Sequence, residues 1–287
     1  MNFLYTGERA IHLIKRLTPS LLVAIYKMNS HKSQYIEVEK TDSIDFEQLH
    51  YLRTPVVFNI PIDKVRYSGG QAYNYHQHHF MQYYKCGVKA LKDYYDKHNP
   101  KTIYENNFIF DQKGKQTDLP WVKECQKKTN KGEYDLGIEH GNADYGPVSS
   151  AKIELEAKRL DYCLNSIKKH GYITNNIAGT DAGFPRGVFL VSSSGNWSFC
   201  IVGSKHRVSA LAYLGWKNIP VCCQPNFPRC IFESDISNWP RVKSGEFKVD
   251  EAKLIFNSYF LLKEIYRNIL FFSAFKTQKY LLIEMPH

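Results

Sequence analysis

The 287-residue sequence lacks the patterns that mark several protein classes. It has no stretch of about eighteen uninterrupted apolar residues, so we expect no transmembrane helix. Its seven cysteines include no Cys-x-x-Cys pair, which argues against a zinc finger and favours a reducing compartment. It also has no block of like charges of the kind that forms a polyanion-binding tail. The first thirty residues lack a signal-peptide pattern because Lys15 and Arg16 interrupt the apolar positions.

These absences predict a cytoplasmic protein. Two stretches, residues 11–26 and 259–283, combine apolar side chains with scattered basic residues. Core helices are the preferred interpretation of both stretches. The alternative is a peripheral contact with the inner face of a membrane.

Positive charge is in excess, since 38 Lys and Arg face 28 Asp and Glu, for a formal net charge of +10. Such a charge favours an anionic partner, namely nucleic acid, a nucleotide, a phosphorylated substrate or an anionic membrane. A solvated basic surface is the alternative. Aromatic residues make up 14% of the chain. Core filling explains them most simply, although such rings also stack on bases and sugars.

The first half of the chain has a mixed pattern. It predicts helices within residues 11–25, a strand at 55–60, a turn at 68–70 and a helix at 80–95. Residues 111–147 are polar and typical of a long connection or a functional loop. We therefore place a domain boundary near residue 140, with a helical and mixed region at 1–140 and a second domain at 141–287.

The second half has a clearer pattern. Pro147, Ser149 and Ser150 predict a helix start, and Gly171 predicts its end. Apolar residues between them recur at helical spacing and predict one buried face: Ile153, Ala157, Leu160, Leu164 and Ile167. The following segments predict a hairpin of two strands, a short helix, a strand and a last helix: 187–191, 197–202, 205–214, 219–223 and 251–270.

The junction of the second hairpin strand and the short helix carries the strongest chemical signal. It consists of Gly203, Ser204, Lys205, His206 and Arg207, which we call the basic turn. Small residues let the backbone approach a ligand closely, and the first amides of a helix attract anions. Three basic residues at a helix start oppose the helix dipole unless an anion binds there. The basic turn therefore predicts a phosphate site.

The surrounding pattern resembles the ParB/sulfiredoxin superfamily, which includes ParB partition proteins, sulfiredoxins and free-serine kinases. The resemblance covers about residues 147–225 and rests on an ordered series. That series is the helix ending Leu164-Asn165-Ser166-Ile167, the hairpin, Gly203-x-x-His206-Arg207, Ala210-Leu211, Leu214-Gly215 and Ile219-Pro220-Val221. It implies a mixed-sheet nucleotide-binding domain with ATP or ADP held by the basic turn.

The sequence departs from each branch of that superfamily. Lys205 stands where sulfiredoxins have a reactive cysteine, so sulfinic acid reduction is not expected. Gly146-Pro147-Val148-Ser149 replaces the Arg-rich first motif of ParB proteins, and no helix-turn-helix is evident after residue 225. Gly203-Ser204 replaces the acidic residue and glycine of the free-serine kinases, so serine is not implied as a substrate.

Phosphoryl transfer needs a charge clamp, usually Mg²⁺, and a carboxylate near the acceptor hydroxyl. Glu156 is the first carboxylate candidate, with Lys152 and Arg159 on the same side of its helix as nucleotide contacts. A surface ion-pair ladder is the alternative. Asp181 is the second candidate, with a turn-stabilising role as its alternative.

The segment His76-Gln77-His78-His79 lies among aromatic residues. We predict that His76 and His79 bind the acceptor substrate. A metal site or a purely structural role is the alternative.

Together these features predict an α+β fold in which a ParB/sulfiredoxin-like domain carries extra N-terminal and C-terminal helices. The predicted function is a nucleotide-dependent kinase that uses ATP with Mg²⁺ and acts on a small hydroxyl acceptor such as a sugar or glycan. A nucleotide-gated DNA-binding protein of ParB type and a non-catalytic nucleotide-binding module are the alternatives.

Overall fold

A computed structural model describes most of the chain. The described residues are 36–38, 44–51, 56–110, 112–114, 117–123, 136–141, 144–173, 183–225 and 227–260. The helices predicted within residues 11–25, residue Asp181 and residues 261–287 lie outside this part.

Within the described part the fold is α+β. The strands are β1 (Ile36–Val38), β2 (Val56–Pro61), β3 (Val65–Arg66), β4 (Arg186–Val191), β5 (Trp197–Gly203), β6 (Asn218–Cys223) and β7 (Cys230–Phe232).

In the described part, the α-helices before residue 200 are α1 (Phe46–Tyr51), α2 (His79–Cys86), α3 (Val88–Lys97), α4 (Ile103–Asn106) and α5 (Ser150–His170). They are followed by α6 (Lys205–Tyr213), α7 (Pro240–Lys243) and α8 at 249–260. Short 3₁₀ turns occupy Ile62–Lys64, Ser68–Gly70, Ile138–His140 and Glu233–Asn238.

The strands form one mixed sheet in the order β1-β2-β6-β4-β5-β3. The strand β4 is central: it pairs antiparallel with β5 on one side, and parallel with β6 and then β7 on the other. β2 runs antiparallel to β6, so a strand from before residue 65 pairs with one from after residue 217.

The chain divides into two compact units, each built from two separate stretches. The first unit is Met1–Val65 with Leu160–Phe232, and the second is Arg66–Arg159 with Glu233–His287. The first unit thus draws on residues from both sides of position 140. The domain division near residue 140 stays a prediction.

The core of the first unit is aromatic and lies around Phe189 of β4. Its ring is 5.1 Å from that of Phe58 and 4.8 Å from that of Phe199, both in edge-to-face geometry. All three side chains are buried. Such pairs add to the free energy of burial because ring edges and faces carry opposite partial charges.

The second unit has its own aromatic cluster and a group of polar contacts around Arg241. Trp121 packs edge-on against Trp239 and Phe256. The Arg241 guanidinium pairs with Asp118 at 2.8 Å and also with Glu246, and it donates to Thr117. These contacts fix the segment 117–122 against the segment 240–246.

The helix α5 begins and ends as the capping pattern predicts. The Ser149 hydroxyl accepts from the Lys152 amide at 3.1 Å and lies 2.8 Å from His140 Nδ1. At the other end Gly171 adopts the left-handed conformation with φ of 72°. Four of the predicted inward residues, Ile153, Ala157, Leu160 and Leu164, are buried, and Ile167 is half-buried.

The predicted hairpin, the short helix and the following strand are confirmed as β4, β5, α6 and β6 within a residue or two. The single helix predicted at 80–95 is wrong, because Gly87 divides it into α2 and α3. Gly87 has φ of 71° and ψ of −163°, which no helix interior allows. The last predicted helix starts at 249 rather than 251, and its part beyond 260 lies outside the described residues.

We predict that Ser149→Ala lowers the free energy of unfolding by about 1 kcal/mol, since it removes the side-chain cap of α5. Ser150→Ala is the matched control, because Ser150 is exposed and already inside the helix, where alanine is favourable. Urea unfolding of both variants checks this. Equal unfolding curves for the two variants would contradict the cap.

Candidate functional site

The basic turn joins the end of β5 to the start of α6. Gly203 is the last residue of the strand and lies opposite Arg186 of β4. Ser204 is the N-cap of α6 with φ of 67° and ψ of 32°, a left-handed conformation that is uncommon for a residue other than glycine. Left-handed and right-handed helical residues in succession turn backbone amides into a concave anion-binding nest.

The cap of α6 differs from an ordinary helix start. The Ser204 side chain makes no capping hydrogen bond, and no acidic residue lies in the first turn. Lys205, His206 and Arg207 are half-buried there. Lys205 and Arg207 thus place two charged side chains where the helix dipole is already positive, an arrangement that favours a nearby anion.

Gly203 is not required by the packing of the turn. A Cβ atom added there would meet Arg186 Cβ at 3.9 Å, which is ordinary contact. Its backbone does not adopt the left-handed conformation that favours glycine. Glycine in a strand destabilises the fold relative to alanine by roughly 0.5–1 kcal/mol. The fold therefore leaves room for a side chain at this position.

Arg207 is held by the loop before β4. Its Nη1 atom and the Tyr172 hydroxyl both donate to the carbonyl oxygen of Gly183, the tyrosine at 2.6 Å. Burial raises the pKa of Tyr172, and the nearby Arg207 guanidinium opposes this only in part. The arginine is thus fixed in direction, and a guanidinium carries more N–H donors than these contacts use.

Lys152, Glu156 and Arg159 come together as predicted, but inside the protein. Glu156 Oε1 lies 3.3 Å from Lys152 Nζ and 3.1 Å from Arg159 Nη1. The Lys152 and Glu156 side chains are 1% and 0% exposed, whereas that of Arg159 is 19% exposed. A surface ion-pair ladder is therefore wrong. Removing charges from water is costly, so a buried pair of this kind is weak evidence for stability.

The structure does not place Glu156 at an accessible surface. A carboxylate with no exposed area does not contact an acceptor in this arrangement, although it positions both basic side chains. Its catalytic role stays a prediction, as does that of Asp181, which lies outside the described residues. The basic turn belongs to the first unit and this ion cluster to the second.

The histidines of the segment 76–79 differ in their exposure to solvent. His76 is exposed and lines a groove, whereas His78 and His79 are fully buried. His78 caps α2, with its Nδ1 accepting from the Phe80 amide at 3.1 Å. The His79 ring stacks on Tyr94 at 3.9 Å and an interplanar angle of 2°. His79 therefore lies behind the groove wall, and the substrate role of both His76 and His79 stays a prediction.

The groove lies within the second unit and has a volume of about 780 Å³. Small-molecule sites commonly have volumes of about 300–1,000 Å³. Aromatic and amide side chains make up much of its wall, together with a few charged residues at α3. The lining includes Gln71, Tyr75, Asp93, Tyr94, His98 and Phe108.

Two features of the groove depart from relaxed geometry or ordinary ionisation. Phe108 has φ of 56°, which is a strained conformation for a bulky residue, and its ring stacks on His98 at 4.7 Å. Burial lowers the pKa of His98 to about 4, with a weaker opposite effect from Glu105. Backbone strain and perturbed ionisation both concentrate at functional sites.

Within the described ranges no three His, Cys, Asp or Glu side chains are grouped so that they could hold a metal ion. The same part of the chain contains no helix long and apolar enough to cross a membrane. The two stretches proposed for peripheral membrane contact lie almost entirely outside it. A scan of protein families and a search of curated proteins find no match to this sequence.

Sequence reasoning missed most of the groove. Gln71 follows a Gly-Gly turn and has no motif around it, and nothing in the sequence marks Phe108 as left-handed. Tyr94 and His98 form one face of α3 and its end, and their spacing of four residues was the only usable signal.

We predict that Glu156→Gln lowers the free energy of unfolding by about 3–5 kcal/mol, because buried Lys152 would lose its counter-charge. Glu154→Gln on the exposed face of the same helix is the control and should change it by less than about 0.5 kcal/mol. Calorimetry of the two variants makes the comparison. A Glu156→Gln protein as stable as Glu154→Gln would show that Lys152 does not depend on this carboxylate.

His98 predicts a pH dependence of stability. Its folded pKa lies below the ordinary value of about 6.5, so the neutral ring favours folding. This contribution is complete above pH of about 6.5 and is lost as pH falls towards about 4. Between these values the native chain should lose about 2–3 kcal/mol more than a His98→Phe variant, measured by urea unfolding. Parallel losses in both proteins would argue against a buried neutral His98.

Proposed function

We propose that the chain binds a nucleotide through its phosphates at the basic turn and transfers a phosphoryl group to a small hydroxyl acceptor. The left-handed Ser204 cap, with basic residues and no acidic residue in the first turn of α6, is the observation that carries this proposal. It combines a backbone nest, a helix N-terminus and side-chain cations at one place, and phosphate is the anion that such sites commonly bind.

The proposed fold of about residues 147–225 is a ParB/sulfiredoxin-like nucleotide-binding domain. The order of α5, the β4–β5 hairpin, α6 and β6 supports it, because these elements occur in the order and at the spacing of the resemblance. In this proposal ATP is the donor, ADP the product, and Mg²⁺ accompanies the phosphates.

Each part of the basic turn has a proposed task. Gly203 lets the phosphate approach the backbone, and the amides that follow Ser204 donate to it. Lys205 and Arg207 supply charge, His206 supplies a further hydrogen-bond donor, and Arg207 can donate two parallel hydrogen bonds to phosphate oxygens. The role of Lys152 and Arg159 as nucleotide contacts stays a prediction, and Arg159 is the one of the two with exposed surface.

The transfer step follows from the chemistry of phosphoryl groups. The acceptor oxygen attacks the terminal phosphorus, the bond from phosphorus to the bridging oxygen breaks, and ADP leaves. The hydroxyl proton passes to a carboxylate. Asp181 is one candidate, and Glu156 is the other, which would have to become exposed to reach the hydroxyl. Positioning and charge stabilisation contribute most of the rate in such reactions.

We predict that ATP or ADP raises the melting temperature of the native chain, as measured by thermal shift with and without Mg²⁺. At a hundredfold excess over Kd the stabilisation should be about 2.7 kcal/mol. Gly203→Ala should lose this shift while keeping or raising the melting temperature without nucleotide, since its Cβ has room in the fold. Arg207→Ala should lose most of the shift.

Lys217→Ala is the control, because Lys217 is an exposed basic residue of the same unit outside the turn. It should keep the full shift. If Gly203→Ala and Lys217→Ala respond equally to nucleotide, the basic turn is not the phosphate site. If no nucleotide shifts the native chain, the proposed function fails.

A further inference from the structure

The groove of the second unit contains a buried polar atom without a partner. The Gln71 side chain is 1% exposed, and its Oε1 atom has no hydrogen-bond donor among the described residues. Its backbone is well held, since its carbonyl accepts from the Tyr67 amide at 2.7 Å. A buried acceptor left unpaired costs about 1–3 kcal/mol, so it requires an explanation. Because Gln71 lines the groove, a ligand that donates a hydrogen bond explains it.

Tyr94 is fixed in place before any ligand arrives. One face of its ring is covered by His79, and its hydroxyl donates to the Asp144 carbonyl at 2.7 Å. Only the opposite face and the ring edges can therefore line the groove. Such a ring loses little conformational entropy when a ligand packs on it.

Tyr75 and Phe108 are held in a similar way. The Lys85 ammonium lies 4.1 Å from the centre of the Tyr75 ring, and the Tyr75 hydroxyl is 3.5 Å from Cys86 Sγ. Phe108 is stacked on His98 at an interplanar angle of 6°. In each case a neighbour covers one face, so the groove is lined by rings that are already oriented.

The lining favours a ligand with many hydroxyls. The groove-lining residues include no arginine, which is the side chain that best matches a phosphate or carboxylate. They combine oriented rings with amide groups, and the charged lining residues on α3, namely Lys89, Asp93 and Lys97, are all exposed. A pyranose ring presents an apolar C–H face for the aromatic rings. Its hydroxyls both donate and accept, so they can pair with Gln71 Oε1 and Asp93.

We propose that this groove binds a sugar residue, with a sugar hydroxyl donating to Gln71 Oε1 and the sugar ring packed on Tyr75, Tyr94 or Phe108. As the acceptor site of a kinase it rests on the proposed function, whereas sugar binding itself does not require a nucleotide. The proposal also gives His79 a positioning task, because it covers the far face of Tyr94.

The test is ligand-observed saturation-transfer NMR of the full chain with methyl glycosides of hexoses and N-acetylhexosamines, in the absence of nucleotide. At least one glycoside should bind the native chain. Gln71→Met should weaken that binding about tenfold, since one hydrogen bond is lost at nearly constant side-chain volume. Its melting temperature should stay the same or rise, because the unpaired acceptor is gone.

Gln48→Met is the matched control in the first unit and should bind as the native chain does. If Gln71→Met does not fold, Tyr75→Leu takes its place and should also weaken binding, because it removes one of the rings. The proposal is overturned if no methyl glycoside binds, if the groove variant binds unchanged, or if adenosine or uridine binds there in a Gln71-dependent way instead.

The two proposals fail separately. If nucleotide shifts the melting temperature but no methyl glycoside binds, the phosphate site remains supported and the sugar site is contradicted. If a methyl glycoside binds but no nucleotide shifts the melting temperature, sugar binding in the groove is supported and the kinase proposal is contradicted.

Discussion

The close approach of β4 to β5 is the constraint on which the candidate phosphate site depends. Both strands are buried along most of their length, so their register is fixed by packing on both faces. At Gly187 any side chain would collide with the Cys200 carbonyl, and the register shifts next to this residue. The pairing brings Gly203 opposite Arg186, and the chain must turn there into α6.

The same arrangement explains why the basic turn is strained rather than relaxed. β5 ends at Gly203 and α6 starts at Lys205, which leaves one residue to reverse the backbone. Ser204 makes this reversal in the left-handed conformation, where glycine would be easier. The burial of the hairpin holds this conformation in place, and a strained residue at a cationic helix start is typical of a ligand site.

The second unit contains polar groups whose burial is hard to justify by stability alone. Lys152 and Glu156 are withdrawn from water, and Gln71 keeps an unpaired oxygen beside an open groove. Apolar side chains of similar volume would often serve a core as well or better. The retention of these polar groups is therefore not explained by the packing of the core.

Local patterns in the sequence were enough for part of this account. The capping serines, the helical spacing from Ile153 to Leu164 and the hairpin signal predict elements that the structure confirms. The basic turn is also local, because its residues are consecutive. The partnership of β2 with β6 could not be predicted, since it joins residues about 160 positions apart with no motif to report it. The same holds for the burial of Glu156, which helical spacing alone could not distinguish from a surface position.

The most direct test of the central claim is a crystal structure of the chain with a non-hydrolysable ATP analogue and Mg²⁺. We expect phosphate oxygens in hydrogen-bond contact with the backbone amides after Ser204 and with the Arg207 guanidinium. An analogue bound with its phosphates away from the basic turn would contradict it.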